Sequence, residues 1–433
     1  SDLMQAAEAW LASDRRWRVD EAAQQADALS RHLRASQDVA DLCVAGSYRR
    51  QRDTVGDLDV LVASRRAAGV NRRFLDYPEV SHVLAQGPTR ASVVLDTGMQ
   101  VDLRVVKPES FGAAMVYFTG SKAHNLALRR IAQKRGLKIN EYGVYRGTRR
   151  IAGETEASVY ATLELPCMPP ELRENRGELE AAAKHRLPAL IELRDLRGDL
   201  HVHTDASDGH ASLAEMAAAA RRAGLAYIAI TDHSRHLAVA HGLDADALAR
   251  QIDAIDRFNA GHPGIAVLKG IEVDILEDGG LDLPLSVLRR LDLVVGAVHS
   301  QFRLSRTRQT ERILRAMDHP CFSVLAHPTG RLIGERDAYA VDLDRLARHA
   351  GERGCFLEIN AQPDRLDLDD TGCRMAKETG VRLAISSDAH DVHGFGNLRF
   401  GIGQARRGWL EAKDVVNTLP LWELREALAK TMG

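Results

Sequence analysis

The second half of the chain is a succession of short apolar runs, each followed by a stretch with helical spacing. The runs are DLHV from Asp199, YIAI from Tyr227, VLKGI from Val267, LDLVVGAV from Leu291, SVLA from Ser323, CFLEIN from Cys355 and LAIS from Leu383. Leu213-AEMAAAARRA, after the first of them, has the residue types of a helix. This alternation predicts a β/α barrel with a mostly parallel sheet. The first half reads differently. Leu42 to Ala45 is a strand candidate, and Gly46-Ser47 turns the chain. In Asp57-LDVLVA a period of two puts Leu58, Val60 and Val62 on one face and Asp57 and Asp59 on the other. In Gln100-VDLRVV the residues Val101, Leu103 and Val105 face the core, and Asp102 projects oppositely. Residues 1–40 read as helices, with Val19, Ala22, Ala23, Ala26, Leu29 and Leu33 as a stripe. Lys122-AHNLALRRIAQKRGLKI is a basic amphipathic helix with Leu126, Ile131 and Leu137 on its apolar side; a solvated helix face is its plainer reading. Leu165-PCMPP and the charged run ELRENRGELEAAAKHR mark a boundary.

A length of 433 residues implies two or three domains. The net charge of −2 hides an asymmetry. Residues 1–165 carry 24 Lys and Arg against 20 Asp and Glu, so the first half is mildly basic and the remainder acidic. Arg49-Arg50-Gln51-Arg52, Arg129-Arg130 and Lys134-Arg135 are basic clusters suited to phosphates. Five cysteines show no C-x-x-C spacing and no even-numbered framework, which fits a reducing, cytoplasmic setting. No apolar run approaches twenty residues, so no membrane role is expected.

The apolar runs end in histidine or carboxylate. His201, His203 and Asp208 follow the first, then come His233, Glu272, His299 and His327, and Asp388 with His390 follow the last. These nine N and O donors exceed the four or so that satisfy one zinc ion. They suit two or three metals held close together, the arrangement that displaces phosphate esters. Imidazole favours Mn²⁺, Zn²⁺ or Fe²⁺ over Mg²⁺. In the first half Asp57, Asp59 and Asp102 meet if their strands are neighbours. Carboxylates so close repel one another unless a cation lies between them. An all-oxygen set suits Mg²⁺ carrying substrate phosphates. On its own, Asp-x-Asp is equally a strand's solvated face.

The second half resembles the PHP (polymerase and histidinol phosphatase) metallo-hydrolase family over about residues 198–433. The resemblance implies a distorted barrel of about seven strands with a trinuclear site, and all nine ligand positions match. At Asp208 some members carry histidine one place later, where this chain has Gly209. Glu358 and Asn360, which end CFLEIN, are not ligands in that pattern and read as floor or supporting residues. Residues 20–165 resemble the family X DNA polymerases, the group of polymerase beta. Gly46, Ser47 and Arg50 match the segment that holds the triphosphate tail of a nucleotide. Asp57, Asp59 and Asp102 match the catalytic carboxylates. Tyr117, Phe118 and Gly120, in YFTGS, match the segment against which the nucleotide's sugar and base pack. Asn125 and Arg129 match residues at the minor-groove edge of the nascent pair and the template. A family X polymerase followed by a PHP domain is the bacterial order. Such members begin with a lyase-like helical domain and helix-hairpin-helix elements. Neither is found in the first forty residues, and a start at Ser1 fits a fragment of a longer protein.

The expected architecture is therefore α/β and multidomain. It comprises a helical remnant of the DNA-binding region (1–40), a nucleotidyltransferase palm (41–108) and a small α+β thumb-like subdomain (109–165). A linker (166–197) and a distorted (β/α)7 PHP barrel (198–433) complete it. The expected function is a DNA repair polymerase acting on primer–template or gapped DNA with deoxynucleoside triphosphates. Mg²⁺ would serve the palm. The PHP site would supply a 3′→5′ exonuclease, with abasic-site endonuclease or 3′-phosphatase activity as further options. The rival readings are a small-molecule phosphatase with a relic palm and a non-catalytic repair scaffold.

Overall fold

The computed structural model describes residues 15–433 apart from Pro263, so the first fourteen residues of the expected helical remnant lie outside the described residues. The chain divides into two compact units, 1–187 and 188–433.

The first unit is built on a five-stranded sheet. In chain order the strands are β1 (Trp17–Arg18), β2 (Asp41–Val44), β3 (Thr54–Val55), β4 (Asp57–Ala63), β5 (Val80–Gln86), β6 (Arg90–Leu95) and β7 (Gln100–Val106). The main sheet runs β2-β4-β7-β6-β5, and β1 and β3 form a separate pair. Only β4 and β7 pair in parallel, which places Asp59 directly opposite Asp102. The apolar alternation does what a half-buried strand requires. Leu58, Val60, Val62, Val101 and Leu103 are buried beneath helices Val19–Arg34 and Ala67–Leu75. The far half of β4 is covered on its other face too, where Leu61 and Ala63 pack on Phe111 and Ala114 of helix Phe111–Thr119. The acids therefore sit at the open end of a strand whose remainder is enclosed.

Residues 111–187 add a second core around helix Lys122–Lys134 and a meander of β8 (Lys138–Asn140), β9 (Gly143–Arg146) and β10 (Arg149–Ala152). Ser121 caps that helix by accepting from the His124 amide. Residues 166–187, within the stretch read as linker, pack into this core. Met168, Leu172 and Ala182 are buried there with Arg173 and Glu178.

The second unit is a barrel. Its strands are β11 (Gly198–Val202), β12 (Tyr227–Ile230), β13 (Ala266–Lys269), β14 (Glu272–Asp274), β15 (Val295–Ala297), β16 (Val324–Leu325), β17 (Phe356–Asn360) and β18 (Leu383–Ser386). Every pairing within the two sheets, β11-β12-β13 and β14 to β18, is parallel. Gly270 and Ile271 separate β13 from β14, which continue one path. Bridges His233–Glu272 and Val202–Ala389 join the two sheets into a distorted seven-stranded closure. One apolar core lies among the outer helices. A second is closed at its end by helix Leu421–Ala429.

Candidate active sites

In the first unit the turn after β2 brings the chain against the acids. The Ala45 amide donates to the Asp59 carbonyl at 2.7 Å. Gly46 follows at φ 63°, a conformation that an L side chain adopts at a cost. It also leaves no room: a Cβ there would lie 2.5 Å from Asp59 Oδ2. The Asp59 carboxylate is thus packed directly against the backbone of this turn. Burial first, then Asp57 and Asp102, pushes Asp59 up to about 7. Burial and Asp102 likewise raise Asp57. Arg104 and Arg50 oppose this at Asp59 without cancelling it. A divalent cation fits such a site, because it supplies the missing charge to an all-oxygen donor set. Ser92 on β6 donates to Asp102 Oδ1, and the Gln100 amide donates to its Oδ2 at 3.2 Å.

The predicted nucleotide-contacting residues form a second group beside these acids. Tyr117 and Phe118 meet edge to face with centroids 5.0 Å apart. The Asn125 amide donates to the Tyr117 carbonyl at 2.7 Å, and the Arg129 guanidinium lies over the Tyr117 ring at 5.2 Å. Gly120 ends helix Phe111–Thr119 at φ 70°. Arg50 connects the groups, donating to the Thr119 carbonyl at 2.5 Å and to Glu174 at 3.0 Å. Ser47 stands on the same short turn as Arg50. Behind them Arg49 grips Glu156 through both of its terminal nitrogens, at 2.8 and 2.7 Å, and Arg173 donates to the same carboxylate at 2.6 Å. Sequence reading passed over Arg104, Ser92, Gln100 and Glu174. Arg104 had a signal, since it lies two residues beyond Asp102 on the same face of β7.

In the second unit the nine predicted ligands lie on or just beyond β11, β12, β14, β15, β16 and β18, at one end of the barrel. Three groups of donor atoms fall within 4.8 Å: His203, Asp208, His233 and His390; His201, His203 and Asp388; His233, Glu272 and His299. His203 and His233 are each shared between two groups. His327 stands outside the three, with Nε2 at 3.1 Å from Glu272 Oε1. The donors are buried and crowded without well-formed hydrogen bonds: Nε2 of His201, both nitrogens of His203, Nδ1 of His233, Nδ1 of His327 and Oε2 of Glu272 make none, although His201 Nε2 and His233 Nδ1 lie 3.2 and 3.0 Å from Glu272 Oε2 and His203 Nε2 lies 3.0 Å from Asp388 Oδ1. Buried polar atoms in proteins are paired almost without exception. A converging set of orphaned imidazole and carboxylate atoms fits bound metal ions, and this donor chemistry suits Mn²⁺, Zn²⁺ or Fe²⁺.

The surroundings aim those ligands. His201 Nδ1 is 2.7 Å from Glu358, and His299 Nδ1 is 2.6 Å from Asp274, so each ring has its other nitrogen directed inward. Asn360 donates to Asp388 at 2.9 Å, and Gln362 to its carbonyl at 2.6 Å. Asp232 accepts from Thr204, Ser207 and Gln251 beneath the site. Burial pulls His233 down, but Glu272 and Asp208 outweigh it and raise it to about 10. Glu272 and Asp274 similarly raise His299 to about 9 against its burial. The carboxylates that raise these imidazoles are the ones that would share a metal ion with them. Arg365 was not singled out in the sequence; its Nε lies 4.0 Å from Asp388 Oδ2, on the loop after β17. Asp274 had a signal, two residues beyond Glu272 on one strand.

Comparison with known proteins assigns both units to known families. The polymerase beta palm family matches residues 16–109, the polymerase beta thumb 114–174, and the PHP domain 199–362. The DNA polymerase/3′-5′ exonuclease PolX of Bacillus subtilis is 40% identical over 409 residues, covering 93% of this chain and 71% of that protein. A probable phosphatase of Thermoanaerobacter is 30% identical over 236 residues, 51% of this chain and 89% of that protein. One from Acetivibrio thermocellus is 32% identical over 202 residues, 44% and 78%. The phosphatases are about as long as the second unit alone, whereas the Bacillus protein is similar across both. The chain belongs to the family X DNA polymerases that carry a PHP domain.

Proposed function

We propose that this chain is a DNA-directed DNA polymerase that also degrades DNA from the 3′ end, serving repair synthesis in the cytoplasm. The observation that carries the reading is the coexistence in one chain of an oxygen-only cluster, with Asp59 opposite Asp102, and a separate cluster of orphaned imidazoles. No helix among the described residues is long and apolar enough to cross a membrane.

In the palm, Asp57 and Asp59 hold Mg²⁺, and Asp102 orients the primer 3′-hydroxyl and takes its proton. Ser92 and Gln100 fix the Asp102 carboxylate for that role. Gly46, Ser47 and Arg50 hold the triphosphate. Tyr117, Phe118 and Gly120 pack against the incoming sugar and base, and Asn125 and Arg129 touch the nascent pair and template. In the barrel the nine ligands would hold two or three Mn²⁺, Zn²⁺ or Fe²⁺ ions. Bound at the two sites, divalent ions would supply positive charge for phosphate oxygens and for the attacking hydroxyl or water. Glu358 and Asp274 keep the Nδ1 protons of His201 and His299 in place, and Arg365 adds a guanidinium for the scissile phosphate.

One labelled primer–template tests the reading. Extension with deoxynucleotides and stepwise loss from the 3′ end with Mn²⁺ are expected. Hydrolysis of small phosphate monoesters without extension would make it a phosphatase with a relic palm. DNA binding with neither reaction would make it a scaffold.

A further inference from the structure

We propose that the pocket beside His299 and His327 is a subsite for one nucleotide of single-stranded DNA, which feeds the strand into the PHP centre. The inference rests on the nuclease reading above and adds where the strand is held.

The pocket is an open cleft of 740 Å³ between segments 301–304 and 336–340, a volume in the range of small-ligand sites. One wall begins two residues after His299; the other begins nine residues after His327 and is tied back to Pro328 beside it, and those two rings are 5.4 Å apart. The walls are rigid. The Tyr339 hydroxyl donates to the Pro328 carbonyl at 2.8 Å, its amide donates to the Thr329 carbonyl, and Arg312 donates to the Ser300 carbonyl at 2.9 Å. Gln301 is held at φ 58°, a conformation that non-glycine residues adopt rarely and that gathers at functional sites.

The chemistry of the walls selects the ligand. The Arg336 guanidinium lies over Phe302 at 4.0 Å from the ring centroid, held by its Nε donating to the Gly330 carbonyl at 3.0 Å, and Tyr339 stacks on Phe302 at 6.3 Å. This is a layered cationic and aromatic platform on which any nucleobase can stack. Arg303 is exposed and has no hydrogen bond or ion pair among the described residues, so its charge is available for a backbone phosphate. Asp337, the one acid of the lining, offers an acceptor to an exocyclic amine. A metal-ligand cluster alone hydrolyses any phosphate ester. A stacking platform with a free arginine one step away favours a phosphate that belongs to a strand.

The test uses the full chain, loaded with Mn²⁺, on two substrates: a 3′-labelled oligothymidylate and bis(p-nitrophenyl) phosphate, which has no base or second phosphate. Arg303→Ala and Phe302→Leu should each raise KM for the oligonucleotide about tenfold with little change in kcat. The ratio of kcat/KM for the oligonucleotide to that for bis(p-nitrophenyl) phosphate should fall by the same factor. Fluorescence anisotropy of the oligonucleotide in EDTA should weaken in parallel. Unchanged KM in both variants, or equal losses on both substrates, would overturn the subsite while leaving the nuclease reading in place. A wild-type chain that hydrolyses bis(p-nitrophenyl) phosphate but not the oligonucleotide would overturn both.

Discussion

Gly46→Ala isolates the geometry of the palm in a single methyl group. The new Cβ would stand 2.5 Å from Asp59 Oδ2. Close carbon–oxygen contacts settle near 3.3 Å, so the carboxylate or the turn must retreat by about 0.8 Å. A misplacement of about 1 Å at a reacting centre lowers rates by about 100-fold. The backbone adds its own strain, since φ is 63° and an L residue there loses about 1–2 kcal/mol. Gly136→Ala separates the two effects. Gly136 has φ 68° but nothing within 4 Å of its would-be Cβ, so it carries the backbone strain without the collision. Single-nucleotide primer extension by Gly46→Ala should fall at least about 100-fold in kcat, while Gly136→Ala stays within about threefold of wild type. In thermal melts Gly136→Ala should lose the stability that backbone strain costs and Gly46→Ala at least as much, and both should degrade a 3′-labelled single strand like wild type. Extension by Gly46→Ala within threefold of wild type would refute the claim that contact between this turn and Asp59 sets the metal site.

The remaining predictions concern the other elements of the two sites. Arg129→Ala should weaken templated extension, measured as kcat/KM on all four templating bases, with little effect on cleavage of a short single strand. His203→Ala, which removes a donor shared by two ligand groups, should lose at least one ion per chain by elemental analysis and abolish nuclease activity while extension survives. Glu358→Gln should lower metal affinity by about 10–100-fold in a chelator competition, because the Nδ1 partner of His201 is weakened. Burial would raise Glu156, but Arg49 and Arg173 outweigh it and hold it down at about 2. Its contribution, about 3 kcal/mol, is therefore fully present above pH 4.5 and is lost as pH falls toward 2. Denaturant melts of Glu156→Gln should differ from wild type at pH 7 and converge with it over that window.

The parts of this protein that were legible in the sequence share one property: the pattern that specifies the element also specifies the chemistry. In β4 and β7 the period of two that buries Leu58, Val60, Val101 and Leu103 also turns Asp59 and Asp102 the other way. In the barrel a short apolar strand can end in only a few polar residues before the chain turns away, so metal donors must appear at run ends. The residues that aim the donors carry no such mark. Arg365 lies on a loop after β17 and reaches Asp388 only through the fold. Asp274 looks like an ordinary strand-end acid until His299 arrives from the next strand, 2.6 Å away.

The stretch over 166–197 failed to declare itself for a different reason. Prolines followed by ELRENRGELE have the composition of solvated linker, yet Arg173 and Glu178 are wholly buried. Each finds partners in the fold: Arg173 pairs with Glu156, and Glu178 accepts from the Asn175 and Arg176 amides and lies 2.6 Å from His124 Nδ1, whose other nitrogen reaches the Tyr160 hydroxyl. A lone charge could not be buried there, whereas a paired one can be. Composition reports only the lone charge. The same pairing has a functional edge. Glu156 also holds Arg49, which precedes Arg50 on the turn beside Asp59, and Arg50 itself ends on Glu174. Segment 173–178 therefore buttresses the turn whose position Gly46 makes critical. That gives a reason for charged residues, rather than a greasy plug, at this place: charge-assisted hydrogen bonds are directional and fix orientation, which an apolar contact of equal area does not.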